Sequence, residues 1–119
     1  CQSVSRTQTE SAELAVGIWE GERIGAFRGM RAGAQLYGGT AFGTTGNQPV
    51  GAYEGYEPLV VDIAKFFRTG KPPVDEAETI EVFAFMEAAD ISKQRGGVAV
   101  SIPELIERAR EQARAKRSW

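Results

Sequence analysis

The sequence predicts an α+β fold, an antiparallel sheet of about three strands plus a short one followed by three helices. Three observations predict it. Eleven of the fourteen glycines fall between Gly17 and Gly55, among short alternating runs. The remainder is charged, Ala-rich and apolar at helical spacing. The helical stretches carry their own boundary signals: a proline start, a capping pair and glycine stops.

From Glu13 to Trp19 the run ELAVGIW alternates, with Leu14, Val16 and Ile18 on one side, and Arg23 to Met30 supplies a second strand. Glu20-Gly21 reads as the hairpin turn between them. A third, weaker run is Leu36 to Phe42, whose paired glycines add nothing to a sheet face. Glycines at 17, 21, 25, 29 and 33 recur every four residues, but the residues between them do not repeat. A glycine-rich sheet implies close approach by another layer. Residues 1–12 read as a flexible N-terminal segment.

Pro58 suits the first turn of a helix whose apolar stripe is Leu59, Ile63, Phe66 and Phe67, with Asp62, Lys65 and Arg68 facing away. Gly70 ends it, and Pro72-Pro73 blocks continuation. Asp75 with Glu78 forms a capping-box pattern for a second helix over 76–95, stopped by Gly96-Gly97. Its apolar residues, from Ile80 through Phe83 and Phe85 to Ile91, cover most of its circumference, so it requires burial on more than one side. A short strand over 98–100 follows. Ser101 with Glu104 then caps a last helix carrying Leu105, Ile106, Ala109 and Ala113.

Composition narrows the function. With 14 basic and 16 acidic residues, net charge −2, positive charge is too sparse for a nucleic-acid backbone. Arg108, Arg110, Arg114, Lys116 and Arg117 are interleaved with Glu104, Glu107 and Glu111, which makes them a solvated helix face. No apolar run reaches the roughly 20 residues of a membrane span. The single cysteine, Cys1, excludes an internal disulfide. The reading favours a soluble, cytoplasmic chain over one processed or lipid-anchored at Cys1.

The absence of histidine excludes Ser-His-Asp and Cys-His catalysis and every His-containing zinc site. Gly38 to Gly43 lacks the glycine offsets of a dinucleotide fingerprint, and no Gly-Lys-Ser/Thr of a P-loop is present. Asp75, Glu76 and Glu78 are accounted for by capping and the helix dipole. Tyr53 and Tyr56, with Glu54 and Glu57, lie before the first helix, either lining a pocket or anchoring the helix entrance. Arg28 and Arg31 suit an anionic ligand or a carboxylate across a subunit boundary. The candidate substrate-binding residues are therefore Arg31, Tyr53 and Tyr56, and no residue is assigned a catalytic, cofactor-binding or metal-binding role.

The runs YEGYEPL from Tyr53, FFRTGKPPV from Phe66, DEAETIEVFAFMEAADISK from Asp75 and RGG from Arg95 resemble, in combination, the C-terminal end of the Gfo/Idh/MocA oxidoreductases. This is the family of glucose–fructose oxidoreductase and inositol dehydrogenase. The resemblance covers about residues 13–102, with YGGTAFG from Tyr37 fitting less distinctively. It implies that 13–119 is a partial C-terminal α+β domain, the substrate-side and oligomerisation portion of an NAD(P)-dependent sugar or polyol dehydrogenase. The cofactor, NAD or NADP, would belong to the parent enzyme. The implied partners are a missing Rossmann domain, a second copy of the chain, or both. The family's nucleotide fingerprint and its Glu-Lys-Pro lysine have no counterpart here; Lys71 follows Gly70 in an interhelical loop. The alternative expectation is a stand-alone interaction or small-ligand-binding module.

Overall fold

The computed structural model describes residues 1–34 and 36–117. It comprises two units, residues 1–33 with 76–119, and residues 34–75. The first unit carries a four-stranded antiparallel sheet: β1 (Ser3–Gln8), β2 (Ala12–Ile18), β3 (Ile24–Met30) and, from the end of the chain, a two-residue strand, Val100–Ser101. The second unit holds a separate hairpin of β4 (Gly39–Gly43) and β5 (Gly46–Val50), then helix α1 (Glu57–Thr69). Helix α2 (Glu76–Gln94) returns to the first unit, the short strand follows as β6, and helix α3 (Ile102–Arg117) completes it.

The α+β class is as predicted, but two strands are allotted differently. Ser3–Gln8, expected within a flexible segment, is a central strand between β2 and β6, in the order β3-β2-β1-β6. Its sequence SVSRTQ has a single aliphatic side chain. That residue, Val4, is fully buried and pairs with Gly17 and Val100, so tertiary position rather than propensity makes this strand. The run from Leu36 does not join that sheet. Its second half forms β4, which turns through Thr44-Thr45 to pair with β5, Gly43 facing Gly46.

Pairing of β2 with β3 brings Gly17 opposite Gly25, symmetrically about the turn that Trp19 closes by donating its N–H to the Arg23 carbonyl at 2.8 Å. Gly21 and Glu22 both take left-handed backbone there, φ 71° and 60°. Part of the four-residue glycine spacing thus has a cause. The Trp19 ring lies across both facing glycines. A Cβ on Gly17 would come within 2.6 Å of Trp19 and 2.7 Å of Phe85, and one on Gly25 within 2.9 Å of Trp19. The close approach expected of a glycine-rich sheet is made by this indole, which stacks on Phe85 of α2 at 6.0 Å and 19°.

The core lies between the sheet and α2: Val4, Ala15, Ala84, Ala88, Ala89, Val100 and Ile102 are buried, with Leu105 and Ile106 of α3 against them. Since alternate strand residues face opposite ways, burial of Ala15 and Gly17 puts Leu14, Val16 and Ile18 on the sheet face turned away from α2. Leu14 and Ile18 remain exposed there.

The helix boundaries follow their signals. Pro58 occupies the first turn of α1, Gly70 closes it in left-handed conformation with φ 67°, and Gly96 and Gly97 follow α2 with φ 73° and 96°. The Ser101 hydroxyl accepts the Glu104 N–H at 3.4 Å. Arg108, Arg110, Arg114 and Lys116 are exposed, as expected of a solvated face, while the side chain of Arg117 lies outside the described residues. Helix α2 buries Ala84, Ala88, Ala89 and Ser92, yet Val82, Phe83 and Met86 on its other sides stay at least half exposed. In the second unit no residue of α1 is buried, and its stripe of Leu59, Ile63, Phe66 and Phe67 is bare.

Candidate functional site

The chemically richest place in the first unit is a cavity of about 440 Å³ on the side of the sheet that faces α2. Small residues hollow it out: Ala15 of β2, Gly29 of β3 and Ala89 of α2 leave a space that larger side chains would fill. Phe27, Phe85 and Met86 form its apolar wall. Phe85 both lines the cavity and stacks on the Trp19 indole.

Across from that wall runs a chain of charges. Arg6 of β1 and Glu13 of β2 point to the same face of the sheet, near neighbours diagonally across the pairing of Arg6 with Ala15. The two Glu13 carboxylate oxygens are divided between guanidinium groups, Oε2 bonding Arg6 and Oε1 bonding Arg31. Arg6 in turn reaches Asp90 of α2 through Nη1. Arg31, just beyond β3, also donates to the Thr9 carbonyl at 3.0 Å and to Gln8 Oε1 at 3.3 Å. Arg6 and Glu13 are mostly enclosed, at 17% and 18% side-chain exposure, Arg31 is at 41%, and Asp90 lies at the rim at 63%. A second carboxylate, Glu81, lies at the other end of the Trp19–Phe85 stack. It accepts from the Cys1 amino group at 2.7 Å and from Trp19 Nε1 at 2.9 Å, and these bonds hold its carboxyl below the usual carboxylate range.

Of the residues predicted to bind substrate, Arg31 lines this cavity. Tyr53 and Tyr56 belong to the second unit, where they meet edge to face at 6.1 Å while Tyr53 lies against Tyr37 at 5.7 Å. Tyr56 occupies the position before α1, and its carbonyl accepts the Val60 N–H at 3.1 Å, so it stands at the helix entrance. Tyr37 and Glu54, but neither Tyr53 nor Tyr56, line a hollow of about 510 Å³ beside the hairpin. Arg28 takes the sheet face opposite to α2, paired with Leu14.

Sequence reasoning missed Arg6, Glu13, Phe85 and Asp90 as a group. Arg6 stood in the segment read as flexible, and Phe85 was counted only toward core. The signal that was there is the charged Glu13 sharing the strand face of Ala15 and Gly17, since a charge on a face of small residues asks for a partner across the sheet. The stretch Gly38 to Gly43 forms a hairpin strand rather than a strand-to-helix turn, so it does not cradle a pyrophosphate. Among the described residues no three His, Cys, Asp or Glu side chains cluster as metal ligands, and no helix is long and apolar enough to cross a membrane. No family model, curated protein or solved structure matches this chain.

Proposed function

We propose that this chain is the C-terminal, substrate-side and oligomer-forming portion of an NAD(P)-dependent sugar or polyol oxidoreductase of the Gfo/Idh/MocA type, without catalytic capacity alone. The observation that supports it most is uncovered apolar surface. Exposed apolar side chains include the α1 stripe, Phe83 and Met86 on α2, and Leu14 and Ile18 on the open sheet face. A contiguous apolar stripe such as that of α1 marks an interaction site. The residue pattern from Tyr53 to Gly97 supplies the family. NAD or NADP would be held by a Rossmann domain outside these residues, and nothing in this chain is assigned a role toward it.

Sedimentation velocity at micromolar concentration tests the packing role. Self-association, or recruitment of a co-expressed Rossmann domain, is the expected result, and a well-folded monomer indifferent to both would overturn it. The enzymatic half is tested by the reading frame upstream of Cys1. A glycine-rich nucleotide fingerprint and a Glu-Lys-Pro motif are expected there, and a native start codon beside residue 1 would remove that half. The second reading, a stand-alone interaction or small-ligand-binding module, draws on the cavity that Arg31 lines. It requires that the native full-length product lack NAD(P)-linked activity.

A further inference from the structure

We propose that the cavity between the sheet and α2 is a binding site for a small monocarboxylate with an aromatic or branched apolar body. The inference stands whether or not the oxidoreductase reading holds, because it rests only on side chains of the first unit.

Charge comes first. Glu13 has both oxygens engaged, one by Arg6 and one by Arg31, so these three groups form a unit of net charge +1. Its balancing charge is Asp90, which uses one carboxylate oxygen on Arg6 Nη1 and is the most exposed member of the chain. An ion pair with so exposed a partner contributes little. A ligand carboxylate can therefore take the place of Asp90 on Arg6 at little cost, while the Asp90 side chain turns into water. A ligand ammonium would find only the exposed carboxylate of Asp90 at the rim, since both Glu13 oxygens are taken by guanidiniums.

Shape supplies the rest. Charge recognition at the rim of a water-filled hollow is weak, but this cavity continues inward along Phe27, Phe85 and Met86. Its volume of about 440 Å³ falls within the range of small-molecule sites, about 300–1,000 Å³. An apolar body attached to the carboxylate would cover Phe27, which is 65% exposed. The combination of apolar walls with a few convergent polar groups is what small-ligand sites generally show.

The stack of Phe85 on Trp19 provides the readout. The full chain, carrying Trp119→Phe so that Trp19 alone reports, is titrated with phenylacetate, with neutral phenylacetamide and with phenethylamine. A saturable change in Trp19 emission is expected for phenylacetate only. Asp90→Asn removes the competing carboxylate and should tighten phenylacetate binding about two- to fivefold, the worth of one exposed ion pair. Arg31→Gln takes the Arg6–Glu13–Arg31 unit to zero charge and should weaken it about tenfold or more. Both positions are solvent-accessible, and an unchanged far-UV circular dichroism spectrum verifies the fold. Three results would each overturn the proposal: no saturable response to phenylacetate at millimolar concentration, equal binding of phenylacetamide or preference for phenethylamine, or weaker phenylacetate binding in Asp90→Asn.

Discussion

Strand β1 loses its neighbour on one side where the two-residue β6 ends, and the next inward N–H on that edge, that of Arg6, is taken by the Ser92 hydroxyl of α2 at 2.9 Å. Ser92 is fully buried and its carbonyl also accepts the Gly97 N–H at 2.8 Å. Replacing it with alanine strands a backbone donor away from water, so Ser92→Ala should lower stability by about 1–3 kcal/mol in urea denaturation. Gly17 is equally intolerant for a steric reason. Gly17→Ala pushes a methyl into the Trp19 and Phe85 rings, and the expected outcome is a loss of about 1–3 kcal/mol with a red-shifted Trp19 emission. At Glu81 the consequence is electrostatic. Its folded carboxyl titrates below its unfolded one, held down by the Cys1 amino group and the Trp19 indole. The stabilisation is fully present above the ordinary carboxylate range and fades as pH falls through the lowered folded value. An acid titration of the stability of the 119-residue chain, whose amino group is that of Cys1, should therefore be steeper than that of its Glu81→Gln variant.

At the level of elements, what could be read in advance was what local chemistry dictates. Pro58, Gly70 and Gly96 bound their helices where start and stop signals place them, because a missing N–H or a left-handed backbone acts within one turn. Strand β1 was illegible because one valine among polar residues has no period, and its pairing partners lie ten or nearly a hundred residues away. The charge chain of the cavity was illegible for the same reason, since Arg6, Glu13 and Asp90 meet only once β1, β2 and α2 are assembled. Ile102, at the junction of β6 and α3, is 2% exposed and its N–H donates to the Gln2 carbonyl at 3.0 Å. Ile102→Ala should cost about 2–5 kcal/mol and loosen both elements together, seen as lost amide protection in hydrogen exchange from Val100 into α3.

Over the whole molecule, the sheet-and-α2 unit closes a core while residues 34–75 do not, and composition alone gave no sign of that division. The amphipathic stripe of α1 was legible; its exposure was not. Phe67, 80% exposed, provides a clean test. Phe67→Glu should change the stability of the isolated chain by no more than about 0.5 kcal/mol, while abolishing or sharply weakening the self-association expected in sedimentation velocity.

The strand order β3-β2-β1-β6 has a bearing on biosynthesis. The first hairpins leave the ribosome with Val4 uncovered and one edge of β1 open, and the residues that close that edge, Ser92, Val100 and Ser101, come almost a hundred positions later. At about 5–20 residues per second the nascent chain carries that open edge for roughly 5–20 s. An unpaired edge is a template for pairing with other chains. The nascent sheet therefore stays open to such pairing until α2 and β6 arrive.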